Sequence, residues 1–167
     1  MKQIKLYSNK KLLNLDNLLE KVSLIRKNKQ TIVFTSGCFD ILHIGHTRFL
    51  KKASSFGDVM ILALNTDDSI NKVKGNTRPI INQSDRAELL SELRYLDYIV
   101  FLNQLNACSL IDEIQPEFYV KGEDYKKMNK KLWPEADIVR SYNGQIKYVK
   151  LVPNRSTTSI INKINSF

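Results

Sequence analysis

Apolar residues fall along this chain in two alternating rhythms. Leu12, Leu15, Leu19, Val22 and Ile25, with Leu18 alongside, recur at helical spacing and predict an amphipathic helix over residues 12–28. The β-branched run TIVFTS (31–36) then predicts a buried strand. Phe49, Leu50, Ala53 and Phe56 mark one face of a helix from about His46 to Phe56, with Gly57 as its stop. DVMILAL (58–64) is a second strand. Residues 65–82 are polar and carry Gly75 and Pro79, which predicts a short helix and then a loop. Ser84 and Asp85 open a further helix whose apolar face is Leu89, Leu90 and Leu93. YIVFL (98–102) is a third strand, Leu105 to Ile114 a helix ending before Pro116, and EFYV (117–120) a fourth strand. A basic, less regular segment follows. Asn143-Gly144 turns the chain into a fifth strand, QIKYVKLV (145–152), and STTSIINKI closes it as a helix capped by Ser156.

Continuous apolar strands alternating with helices predict an α/β fold with a mostly parallel five-stranded sheet covered on both faces. We expect one domain over residues 1–167, with residues 1–30 as a basic helical extension packed on it. Ligands of such sheets bind beyond the C-terminal ends of the strands. The unusual residues gather there: GCFDILHIGH after strand one, NTDD (from Asn65) after strand two, KGEDY after strand four and RSTTS after strand five.

Composition changes this picture little. The 167 residues carry a net charge of +9, of which +6 lies within residues 1–30. Solvated lysines on the first helix account for it, and none of the usual nucleic-acid-binding signatures is present, so no nucleic-acid partner is expected. No apolar run is long enough to span a bilayer, and no signal peptide is read at the start. Cys38 and Cys108 form no CxxC and no metal-ligand spacing. A reduced, cytoplasmic chain with no membrane association follows.

The chemistry begins with His43 and His46, the only two histidines, set three apart around Gly45 at a strand-to-helix junction. Residues three apart share a helix face. At a helix start that face lies beside free N–H groups and the positive end of the dipole, a site for phosphate. Gly45 removes a side chain between the rings, so that an anion can come close. Two histidines do not complete a zinc site, and no metal-binding set is read in the chain. Lys72, Lys74 and Arg78 lie on a glycine-containing loop and can clamp a polyphosphate. The STT hydroxyls either bind a further phosphate or simply cap the helix. Asp40 and Asp67 can position a histidine, a sugar hydroxyl or Mg2+. There is no P-loop and no GxSxG elbow. These parts fit two anionic substrates and no covalent intermediate.

At these residues the chain resembles a known family. GCFDILHIGH is similar to the GxFDxxHxGH signature of the cytidylyltransferase-like nucleotidyltransferases. VFTSGCFDILHIGH, KGNTRPI, DRAELLSELRYLDYIVF, VKGEDY and STTSIINKI stand in the order found in the adenylyltransferase domain of bacterial ADP-heptose synthesis. The resemblance implies a Rossmann-like three-layer α/β/α fold and transfer of AMP from ATP, with Mg2+, to a sugar 1-phosphate such as heptose 1-phosphate. It implies catalytic roles for His43, His46, Lys72 and Lys74. Gly37, Cys38, Phe39, Gly45, Asn65, Lys121, Gly122, Asp124, Ser156, Thr157 and Thr158 are expected at the nucleotide, and Asp40 and Arg78 at the acceptor substrate. A homodimer is expected. Many members fuse this domain to a sugar kinase; 167 residues leave no room for one, so a separate kinase is expected to supply the phosphosugar. Two departures stand out. Glu123 replaces a glycine common in the heptose branch, and Arg155 lies immediately before Ser156 rather than several residues upstream. The alternatives are a cytidylyltransferase for glycerol phosphate or another polyol phosphate, and a non-catalytic nucleotide- or nucleic-acid-binding module.

Overall fold

The computed structural model describes residues 10–127 and 133–167, and in it the two rhythms separate into five strands and seven α-helices. Residues 1–9 of the expected basic extension, and the middle of the less regular segment, lie outside the described residues. The strands are β1 (Ile32–Gly37), β2 (Val59–Asn65), β3 (Tyr98–Leu102), β4 (Phe118–Gly122) and β5 (Gln145–Val149). The helices are α1 (Leu15–Lys27), α2 (Ile44–Ser54), α3 (Asp67–Lys74), α4 (Gln83–Ser91), α5 (Cys108–Ile114), α6 (Glu135–Ser141) and α7 (Thr157–Ile164).

Every strand pairing is parallel, in the order β3-β2-β1-β4-β5. Period-two alternation along the strands feeds two cores. Ile32, Phe34, Ile61, Ala63 and Val100 point to one face, where they meet α1, α5 and α6. Val33, Met60, Leu62, Leu64 and Ile99 point to the other, against α2 and α4. This is the three-layer α/β/α arrangement. Truncating a residue such as Leu50 or Ile61, both with no exposed surface, would cost about 2–5 kcal/mol.

Local chemistry sets the helix boundaries. Asn14 caps α1 by accepting from the Asn17 N–H at 2.9 Å, so the helix starts after the expected residue 12. Residues 11–13 instead run beside β3: Leu13 N–H donates to the Ile99 carbonyl at 2.9 Å and Ile99 N–H to the Lys11 carbonyl at 2.7 Å. Asn82, rather than Ser84 with Asp85, caps α4, accepting from the Asp85 N–H at 2.9 Å. That shift rotates the helix face: Arg86, Ala87 and Leu90 are buried, and Leu89 is exposed. The segment read as irregular holds a 3-10 turn, Glu123–Lys127, and the whole of α6.

The chain crosses from β1 to β2 and β3 on one side, then returns to place β4 on the other side of β1. Such a reversal opens a crevice beyond the C-terminal ends of the two central strands. The Gly37–His46 segment leaves β1 into that crevice, and Gly122 leaves β4 into it.

Candidate functional site

A cavity of about 510 Å3 fills this crevice. Its lining includes Gly37, Cys38, Phe39, Asp40, His43, Gly45, His46, Asn65, Lys74, Lys121, Gly122, Asp124, Ser156, Thr157 and Thr158. Two expected residues are not part of the wall. Lys72 lies on the exposed side of α3, and Arg78 is turned to Asp40.

The histidines are placed differently from a simple shared helix face. His43 is the N-cap of α2, and its Nδ1 accepts from the Gly45 N–H at 3.0 Å. It thus occupies one of the N–H groups expected to face an anion. The His43 and His46 rings stack with centroids 3.8 Å apart, and Phe39 packs on His46 at 5.0 Å. Gly45 makes room for this stack. A Cβ there would lie 2.7 Å from the His43 ring and 3.0 Å from the Arg155 carbonyl oxygen. Gly37 does the same for Phe39, whose ring a Cβ would meet at 2.9 Å.

Burial lowers the His43 pKa. Burial, with His43 and Lys74 nearby, lowers that of His46 to about 4 against the opposing Ile41 carbonyl and Asp40. Both imidazoles are therefore neutral at pH 7. Because His43 Nδ1 is an acceptor, its proton sits on Nε2, a donor beyond the stack. His46 Nδ1 is buried and makes no hydrogen bond of good geometry among the described residues.

Asp40 and Arg78, expected at the acceptor, hold each other instead. Arg78 Nε donates to Asp40 Oδ2 at 2.7 Å, and the Ile80 and Ile81 N–H groups donate to Oδ1 at 2.8 and 3.0 Å. Asp40 is almost wholly buried at the cavity edge and anchors the loop between α3 and α4. Asp67 is likewise engaged, by Arg86 at 2.6 Å and by the Gln83 N–H at 3.1 Å. At α7, Ser156 Oγ caps the helix by accepting from the Ser159 N–H at 3.1 Å. The Thr157 and Thr158 side chains line the cavity, and their hydroxyls have no hydrogen-bond partner among the described residues.

The histidine stack at the start of α2, beyond the C-terminal end of β1, lies within a stretch that a family model matches. The cytidylyltransferase-like model covers residues 34–163. The chain belongs to the cytidylyltransferase-like family. Among its relatives, the "Bifunctional protein HldE" of Geobacter metallireducens is 42% identical over 161 residues, 94% of this chain and 31% of that protein. The protein of the same name from Aliarcobacter butzleri is 46% identical over 134 residues, 80% of this chain and 26% of that protein. The chain thus spans about a third or less of these relatives' length. Two solved structures share the fold. A lipopolysaccharide core biosynthesis protein from Thermoplasma volcanium aligns with TM-score 0.58 at 24% identity, over 74% of this chain and 97% of that one. A pantoate-beta-alanine ligase from Francisella tularensis aligns with TM-score 0.55 at 18% identity, over 93% and 78%.

Two groups in this family member escaped the sequence reading. Arg86, with no exposed side-chain surface, donates from Nη1 to the Cys38 and Asn65 carbonyls at 2.6 and 2.9 Å, and from Nε to the Ile81 carbonyl at 2.9 Å. One guanidinium ties the exits of β1 and β2 to α4. An arginine in an otherwise amphipathic helix gives no signal of this by spacing. Glu135 reaches the same cavity from α6, in the segment read as irregular, and its Oε1 accepts from the Ala107 N–H at 3.3 Å. Among the described residues, no cluster of three or more His, Cys, Asp or Glu is placed to hold a metal, and no helix is long and apolar enough to cross a membrane. Both cysteines are free.

Proposed function

We propose that this chain transfers AMP from ATP to heptose 1-phosphate, forming an ADP-sugar and pyrophosphate. The observation that carries the reading is the stacked, neutral His43–His46 pair at the start of α2, sharing one cavity with Lys74 and the free Thr157 and Thr158 hydroxyls. Imidazole N–H groups donate to the oxygens of the reacting α-phosphate as charge builds in the transition state. Lys74 offsets charge on the departing pyrophosphate, and the hydroxyls hold the distal phosphates. The acceptor phosphate is already anionic and attacks in line, so positioning and electrostatics supply most of the rate and no strong base is required. Mg2+ would be held by the hard phosphate oxygens of the nucleotide, where it would neutralise phosphate charge. A homodimer and a cytoplasmic setting complete the proposal.

The test is pyrophosphate release with each nucleoside triphosphate across a panel of sugar and polyol phosphates. ATP with heptose 1-phosphate is expected to give the highest kcat/KM. A preference for CTP with glycerol phosphate would assign the chain to the polyol branch. Absence of release with every pair would defeat the nucleotidyl-transfer reading.

A further inference from the structure

The cavity is electrically lopsided. His43, His46, Lys74 and the α7 start form an end suited to phosphate. The opposite part holds two buried charges of opposite sign, Lys121 and Glu135, each only 7% exposed. Lys121 Nζ donates to Ser36 Oγ at 2.8 Å and to the Ser36 carbonyl at 3.2 Å, and lies 4.9 Å from the centre of the Tyr125 ring. Its third proton has no acceptor among the described residues. Glu135 spends one oxygen on the long Ala107 contact of 3.3 Å, and no ion pair joins it to Lys121. Both charges face the cavity incompletely satisfied. Burying such groups is costly unless partners complete them.

A carboxylate repels phosphate, so what completes Glu135 is a neutral donor. An ammonium and a carboxylate side by side suit vicinal hydroxyls, which accept from one and donate to the other. A nucleobase is better served elsewhere. The Leu151 side chain lies against Gly122, where a Cβ would come within 3.2 Å of its methyls, and makes an apolar wall beside the α7 start.

We infer that Glu135 and Lys121 form the subsite for the hydroxyls of the acceptor sugar, with Glu135 as the residue that selects a polyhydroxylated acceptor. This rests on the proposed transfer to a sugar phosphate. It makes α6 the specificity element, while α2 and α7 serve the phosphates common to every acceptor.

The experiment uses the full chain with ATP, heptose 1-phosphate and mono-deoxy analogues of that sugar phosphate. Glu135→Gln keeps an acceptor for the Ala107 N–H, and Glu135→Asp keeps the charge. For E135Q we expect a 10- to 100-fold rise in acceptor KM, the scale of losing a hydrogen bond to a charged group. The KM for ATP should stay within about two-fold and the Tm should be unchanged. One deoxy analogue, poor with the unaltered protein, should lose its disadvantage in E135Q, and E135D should recover part of the acceptor affinity. An unaltered acceptor KM overturns the subsite. So does a rise confined to ATP, which would place the nucleoside at Glu135, or a parallel loss of Tm, kcat and both affinities, which would make Glu135 structural. Failure of the unaltered protein to turn over any sugar phosphate would instead defeat the transfer reaction itself.

Discussion

Asp40 at the cavity edge, and Asp67 behind it at the start of α3, are treated very differently from Glu135 in the cavity wall. The two aspartates are met by Arg78, Arg86 and three backbone N–H groups, so that their charge is consumed within the protein. Glu135 and its neighbour Lys121 are buried as deeply as parts of the core, yet do not pair with one another. Satisfied charges brace a loop; unsatisfied ones store affinity for something that arrives later. The lesson is that a carboxylate in a cavity wall says little until its partners are counted.

The braced side should break first. Arg86→Met removes donors from the Cys38, Asn65 and Ile81 carbonyls and leaves Asp67 without its partner. We expect a loss of about 3–5 kcal/mol in urea unfolding, as for a buried pair deprived of one member. A loss below about 1 kcal/mol would show that the bracing is superficial.

The histidine stack lies between the two sides and should separate activity from stability. His43→Ala or His46→Ala is expected to lower kcat by roughly 10²–10³, the scale of one transition-state donor. The pH dependence of folding sharpens this. The His46 pKa falls from its ordinary 6.5 to about 4 on folding, so between those values the unfolded chain binds more protons. Stability contributed by neutral His46 is full above pH 6.5 and is lost as pH falls toward 4. His46→Gln should flatten that part of the stability curve, and an unchanged slope would contradict the burial of this ring.

On the open side, function and stability should part in the opposite sense. Burial lowers the Lys121 pKa from 10.5 to about 8, against the pull of Glu135. Lys121→Met removes a costly buried charge, so the Tm should rise while acceptor kcat/KM falls about 10- to 100-fold. In the unaltered protein, acceptor kcat/KM should decline as pH rises through about 8 and the ammonium discharges. A Tm that drops in Lys121→Met would place Lys121 among the braces.

The smallest effect is expected at Cys38. Its thiol makes only a long contact to Asn65 Oδ1, at 3.9 Å, and its carbonyl is what Arg86 uses. Cys38→Ser should keep kcat within about two-fold. A nucleotidyl adduct trapped on Cys38 by mass spectrometry would overturn direct transfer.

What the sequence determined by itself was local or periodic. Apolar patterning was enough for five strands and for the helices between them except α6, because burial of one face is encoded every second or every third to fourth residue. The Ser156 cap and the meeting of His43 with His46 at the start of α2 were legible for the same reason: their partners lie within a few positions. The tertiary structure decided which polar groups remained available. Asp40 meets Arg78 across 38 residues and Cys38 meets Arg86 across 48, distances at which pairing depends on how the crossovers bring strand exits together. The same crossovers set α6 beside α5 and β5 and delivered Glu135 to the cavity with no motif around it. A side chain's type and neighbours in sequence define what it is able to bind; only the fold settles whether that capacity is spent on the protein or left for a substrate.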